Sequence, residues 1–260
     1  MIKINKKILI LTCIIITILA AGLVSATAVN KVATTNPHKN TLNYQQDNSF
    51  SQLQHELSTK QNKYYNLTKD YKYQDTKDQQ CKEGIKITSN NTIIDGHGHT
   101  INANKKARIL NITGSNTTLK NIIFINGNTN TNSGSIYSME GTPTLINCSF
   151  INNTSSQSGG VIYIAKNTEN ALINSKFINN TANNGGAIYF NGQVINTTIQ
   201  GRFYNNTVTR AGGAIYIKET TKNNTINSYF IENRAKEASG GGIFFHKTRA
   251  NNIFGSTFKK

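Results

Sequence analysis

The residues of this chain that could do chemistry are few, and their spacing decides which chemistry is open to them. From residue 90 onward the carboxylates are Asp95, Glu140, Glu169, Glu219, Glu232 and Glu237. Cleaving or eliminating a glycosidic bond takes two or three carboxylates gathered at one place, as acid and base or as a calcium cradle. The segment Asp95-Gly96-His97-Gly98-His99 puts a carboxylate and two imidazoles on alternate positions, a set that could hold a metal. No second group of ligands completes that shell, so the segment reads as a turn whose polar residues bond to backbone. No P-loop, dinucleotide fingerprint, Cys/His zinc spacing or serine triad is present. No catalytic residue, metal or cofactor is therefore assigned. What remains is a set of aromatic residues, Tyr137, Tyr163, Tyr189, Tyr216 and Phe244, whose rings could grip sugars if the fold lines them up.

The fold that would line them up is written as a repeat. Phe124, Phe150, Phe177, Phe203, Phe230 and Phe258 follow one another at spacings of 26, 27, 26, 27 and 28 residues. Between them recurs a second block: Ser133 to Tyr137, Gly159 to Tyr163, Gly185 to Tyr189, Gly212 to Tyr216 and Gly240 to Phe244. Fixed-period self-similarity of this kind marks a solenoid, with at least two strands in each coil. Strand alternation separates the faces. Four before each Phe stand Ile146, Ile173, Ile199, Ile226 and Phe254, and two before it stand Cys148, Ser175, Gly201, Ser228 and Ser256. That face is apolar, small and aromatic in turn, as a narrow interior requires. One before the Phe stand Ser149, Lys176, Arg202, Tyr229 and Thr257, which face water because an unpaired charge inside is costly. Stacked at about 4.8 Å, such coils hydrogen-bond above and below and join their inward faces into continuous ladders. The predicted fold is all-β, a right-handed parallel β-helix with a structural ladder of the six Phe. Six coils give a rod about 30 Å long.

Asparagine supplies the corners. Asn121, Asn147, Asn174 and Asn227 recur three before the Phe, and Asn152, Asn179, Asn205 and Asn233 just after it. Both series read as turns and stacked amide ladders, since Asn tolerates the left-handed backbone and its side chain can bond to the next coil. The Gly-Gly pairs read as further corners. Cys148 belongs to the small inward column, and a bridge to Cys81 stays open at this stage.

The carboxylates can now be tested against the repeat. Stacked neighbours should differ by 26 to 28 residues, and no pair among the six does; Glu140 and Glu169, 29 apart, belong to loops of different length. A non-catalytic protein is expected, with a polysaccharide lyase or glycoside hydrolase on the same scaffold as the alternative.

Lys3, Lys6 and Lys7 precede an apolar run from Ile8 to Leu23 that ends in small residues, the pattern of a secretory signal peptide over residues 1–28. Residues 29–48 form a polar lead-in and 49–83 an N-terminal cap. In that cap, Phe50, Leu53 and Leu57 fall on one face of a short amphipathic helix, with Ser and Asp-Asn before them as caps. Residues 84–260 form the β-helix, which reaches Phe258-Lys259-Lys260 inside a repeat. The expectation there is an incomplete coil stack, or end-to-end or partner stacking at that end. The chain carries a net charge of +16, or +13 once three lysines leave with residues 1–28. Such a field favours anionic surfaces and acidic polysaccharide, with no specific nucleic-acid binding implied.

The run from Gly84 to Ile101, with Ile109 to Ile112 and Leu119 to Phe124, resembles the opening coils of the Asn/Thr-rich, adhesin-like surface proteins of methanogenic archaea. The Gly-Gly-Ala-Ile-Tyr and Phe-x-x-Asn blocks, as in Gly185 to Tyr189 and Phe203 to Asn206, resemble the repeats of chlamydial polymorphic outer-membrane proteins. The resemblance covers residues 49–260 and implies a pectin-lyase-like β-helix, an architecture that hosts adhesins, lyases and glycosidases alike. Together these readings give a secreted or cell-surface protein that binds glycans or cell surfaces. The binding stripe would be Tyr137, Tyr163, Tyr189, Tyr216 and Phe244 if the flanking isoleucines point inward. The same residues would otherwise be a purely structural ladder, or face the other way.

Overall fold

The computed structural model describes residues 47–59, 63–247, 249–250 and 252–260. The leader assigned to 1–28 and nearly all of the lead-in lie outside the described residues. Among the described residues no helix is long and apolar enough to cross a membrane.

Among the described residues every strand pairing is parallel and joins residues roughly one repeat apart, which makes the structure a parallel β-helix. One seven-stranded sheet begins with Ile85–Ile87 and Leu110–Ile112 and continues through Ile136–Ser138, Ile162–Ile164, Ile188–Phe190, Ile215–Ile217 and Ile243–Phe245. A fourteen-stranded sheet carries the Phe residues, and two smaller sheets of five and four strands close the coil. Register is identity-matched: Phe124, Phe150, Phe177, Phe203, Phe230 and Phe258 lie opposite one another rung by rung. Their rings stack at centroid distances of 4.8, 5.1, 4.7, 4.8 and 4.9 Å. The first five are buried, each burial contributing roughly 1.5–3 kcal/mol of transfer free energy. Phe258 stacks on Phe230 yet stays 57 % exposed on the last described coil, as does Phe254 at 44 %.

One inward position differs from expectation. Ile146 is 37 % exposed, and Leu145 takes the core place opposite Leu119 and Ile173. The cause is a bulge: the register shifts between Ile146 and Cys148, and Asn147 takes up the extra residue at φ 52°. Counting back from Phe150 in steps of two therefore lands one residue off beyond the bulge. The small middle column behaves as read, for a reason alternation could not supply. Ser175 Oγ accepts the Cys148 amide at 3.1 Å, Ser228 Oγ the Gly201 amide at 3.0 Å and Ser256 Oγ the Ser228 amide at 3.1 Å. Cys148 and Cys81 are both buried and free, so no bridge joins them, and burial pushes the Cys148 thiol up to about 12.

The asparagines after each Phe divide into two columns with different work. Asn126, Asn152, Asn179, Asn205 and Glu232 hold the left-handed turn, at φ between 48° and 56°. The next column, Asn153, Asn180, Asn206 and Asn233, runs inside. Each amide nitrogen donates back to the Phe carbonyl of the coil before, as from Asn180 to Phe150 at 3.1 Å and from Asn206 to Phe177 at 3.0 Å. From Asn180 on, each amide oxygen accepts from the preceding coil's Asn, as Asn206 does from Asn180, while Asn153 Oδ1 accepts the Gly127 amide. Asn233 thus belongs to the inner ladder, and Glu232 stands in the turn where the asparagine was expected. Asn121 and Asn147 are left-handed, whereas Asn174 and Asn227 are not. At the opposite corner Gly185 has φ 60°, and a Cβ on Gly186 would come within 2.2 Å of the Gly213 carbonyl. Backbones of successive coils meet there too closely for a side chain.

At the N-terminal end the helix Phe50–Thr59 covers the first coil, burying Phe50 and Leu53 and partly Leu57. Ser49 Oγ accepts the Gln52 amide at 3.1 Å, and the buried Asp78 carboxylate accepts the Phe50 and Ser51 amides, filling orphan donors of the first turn. Farther along the helix, Glu56 accepts hydroxyl hydrogens from Tyr65 and Tyr71. The segment expected as a cap also supplies strands: Tyr64–Asn66 pairs with Ile93–Asp95, and Tyr71–Lys72 with Thr100–Asn102.

Candidate functional site: an outer tyrosine ladder and its groove

In the seven-stranded sheet the flanking residues Ile136, Ile162, Ile188 and Ile215 are buried, so the central aromatic of each strand points outward. Tyr137, Tyr163, Tyr189, Tyr216 and Phe244 form one column, with centroids 5.6, 5.2, 4.8 and 5.1 Å apart. The tyrosine planes lie within 12° of parallel. Parallel strands in identical register fix this, since equivalent residues have no alternative but to stack.

The stacking has a chemical consequence. Both faces of Tyr163, Tyr189 and Tyr216 are covered by neighbouring rings, and the Arg108 guanidinium lies 5.5 Å from the Tyr137 centroid. A sugar cannot lie flat on a face already occupied. What the column offers outward is its edge, a row of phenol hydroxyls. None of the four hydroxyls bonds to another described residue, and none is among the buried unsatisfied atoms, which are Thr117 Oγ1 and Ser135 Oγ. Their donor and acceptor capacity is therefore free, with Tyr189 the most enclosed at 9 % exposure. Burial of the ring raises the Tyr163 and Tyr216 phenols and lifts Tyr189 to about 12, so all three keep their protons near neutral pH.

Three residues beyond each aromatic, the chain turns and forms one wall of a groove of about 700 Å³. Its lining comes from five successive coils, with Asn116 at one end, Glu140, Lys166, Asn167, Glu169 and Asn191 along it, and Glu219 at the other. Glu140, Lys166, Gly192 and Glu219 follow Tyr137, Tyr163, Tyr189 and Tyr216 by three residues on the same coils, so the groove runs alongside the tyrosine row without being lined by it. The column itself reads Glu140, Lys166, Gly192, Glu219, Lys247. Lys166 pairs with Glu140 at 2.7 Å and Lys247 with Glu219, whose hydrogen bond to that lysine holds its carboxyl below the usual range.

Three of the six carboxylates weighed from the sequence, Glu140, Glu169 and Glu219, thus share one groove. A search for one-coil spacing passes over them because Glu140 and Glu219 lie three coils apart and Glu169 enters from the next turn. For Glu140 and Glu219 the legible signal was the offset of three from Tyr137 and Tyr216; Glu169 carries no such signal. The Asp95 segment gathers differently. Asp95 is 5 % exposed and accepts from Asn121 Nδ2 at 2.9 Å, the His97 amide at 3.2 Å and Lys120 at 3.1 Å. Burial alone would raise its carboxyl, but these partners outweigh burial and hold it at about 2. His97 bonds to Asn66 at 2.9 Å and His99 to Asp70 at 3.1 Å, so the two imidazoles serve different side-chain partners on the preceding coil. The residues expected to bond to backbone are chiefly bonded to side chains. Among the described residues no group of three or more His, Cys, Asp or Glu is placed to hold a metal.

The family model of the Chlamydia polymorphic membrane protein repeat matches residues 147–165, 174–191 and 201–218. Each matched stretch runs from a Phe strand through the glycine corner to a Tyr strand, so it spans one rung of each aromatic ladder. No curated protein and no solved structure matches the chain. Repeats of this type wound into a β-helix fit a surface adhesin-like protein.

Proposed function

We propose that this protein is a non-catalytic, exported surface adhesin that binds glycans at the tyrosine row and the groove beside it. The observation that carries the reading is the alignment of four unpartnered phenol hydroxyls with a groove lined by amides and carboxylates. Planar polar groups with free donors and acceptors are what sugar hydroxyls require. Export is supported by the leader pattern of residues 1–28, and surface display by the likeness to adhesin-like proteins of methanogenic archaea and chlamydiae. The net positive charge adds attraction to anionic cell surfaces at long range.

A second reading has one observation behind it, the three carboxylates of the groove. A glycoside hydrolase there would need an acid held protonated beside a second, ionised carboxylate. Glu219 is unsuited to the acid role, since its lysine partner favours the ionised form. A glycan-array screen of the full chain, run beside an assay for released reducing and unsaturated sugars, separates the readings. Retention of glycan without sugar release is expected. Release that disappears in Glu169→Gln would replace the adhesin with an enzyme.

A further inference from the structure

The tyrosine row and its groove share a direction and a period, and these restrict the ligand more than the presence of aromatics does. The groove crosses five coils, so a molecule filling it lies along the rod axis. The hydroxyl-bearing rings follow one another at centroid distances of 5.6, 5.2 and 4.8 Å, one per coil. An extended β-1,4-linked hexopyranose chain advances by nearly the same distance per sugar. It is also flat and ribbon-like, so that its edges present hydroxyls at that repeat. An α-1,4-linked chain curls and loses such a register within a few sugars.

Charge selects further. The chain as a whole is strongly basic, but the groove lining sets Glu140, Glu169 and Glu219 against Lys166, with Lys247 neutralising Glu219 from the rim. Lys166 and Lys247 are taken up by Glu140 and Glu219, so an acidic polymer finds no free cation among the described residues of the groove to pair with and meets the carboxylate of Glu169. The covered ring faces exclude flat stacking and leave edge hydrogen bonds from Tyr163, Tyr189 and Tyr216.

We infer that the site takes a neutral, extended β-1,4-linked glycan lying parallel to the rod axis, one sugar per coil. This rests on the glycan-binding reading above and adds linkage, charge and orientation to it.

The test uses the full-length chain and the triple variant Tyr163→Phe, Tyr189→Phe and Tyr216→Phe, which keeps the stacked rings and removes the hydroxyls. Calorimetric titration with cello- and chito-oligosaccharides of increasing length is compared with maltooligosaccharides and oligogalacturonate. Affinity for both β-1,4 series should rise with each sugar added, up to the span of the groove. It should fall by about tenfold or more in the triple variant with the melting temperature unchanged, as loss of one or two net hydrogen bonds requires. The two control series should bind at least about tenfold more weakly. Unaltered affinity in the triple variant, equal binding of α-1,4 or acidic oligomers, or no gain beyond a disaccharide would each overturn the inference while leaving glycan binding intact. Failure of the folded wild-type chain to bind any glycan would overturn both.

Discussion

The molecule carries two aromatic ladders of nearly equal stacking distance on opposite sides of its wall, one of phenylalanine inside and one of tyrosine outside. The inner rings stand 4.7 to 5.1 Å apart and the outer ones 4.8 to 5.6 Å. Ring spacing is thus a property of the coil, which stacks whatever its strands carry. What differs is the third direction. Phe124 to Phe230 are enclosed on every side, whereas the tyrosines are enclosed by each other and open at the hydroxyl edge. The inner ladder is a means of holding coils together. The outer one is held by the coils and has chemistry left over.

The comparison is most severely tested by truncation. Phe177→Ala should cost about 3–5 kcal/mol of unfolding free energy, since the cavity would lie between two rungs that cannot close on it. Tyr189→Ala should cost about 1–2 kcal/mol, the loss of two ring contacts with part of the site opening to water. Denaturant unfolding of the two variants side by side measures the difference, and equal costs would dissolve the distinction. Asn180→Ala comes next at about 1–3 kcal/mol, because it leaves the Phe150 carbonyl and the Asn153 amide without their partners inside. That loss would show that the inner ladder depends on the amide column beside it.

The smallest effect is that of acid, and it should bypass both ladders. Glu56 and Asp95 have carboxyls held below their ordinary values, against the opposing pull of burial. The partners are Tyr65, Tyr71, Gln52 and Lys69 for the first and Asn121, the His97 amide and Lys120 for the second. A carboxyl depressed on folding contributes stability that is present above its unfolded pKa of about 4 and is lost as pH falls through the folded value. Between roughly pH 4 and pH 2 the helix Phe50–Thr59 and the Asp95 turn should loosen first. Hydrogen exchange should rise there before it rises in the strands of Tyr163 or Phe177, and simultaneous opening would show that the ends are not separately held.

Much of this fold was legible because its period is one-dimensional. The six Phe positions, the column of five aromatics and the capping helix could be read directly, since identical residues at one-coil spacing must stack when strands pair in parallel; which way the tyrosines face could not. Reading failed where the repeat changes length locally. Ile146 was placed inside because a bulge at Asn147 is invisible to a count of twos. The inner asparagine ladder was confused with the turn beside it because both columns are asparagine, one residue apart. Of the three groove carboxylates, Glu140 and Glu169 come from adjacent coils at different places in the turn and Glu219 from two coils farther on, and only the winding of the chain brings them to one place.

By itself the sequence determined the stacking unit, the residues of the two aromatic columns and, on the Phe strand next to each Phe, which face meets water, because hydrophobic periodicity and turn chemistry are local properties. Tertiary structure alone decided that the tyrosine faces are covered and their hydroxyls bare. It also decided that Glu140, Glu169 and Glu219 border one groove, and that the lysines there, Lys166 and Lys247, are paired with carboxylates. These depend on distances between coils, which no single repeat contains.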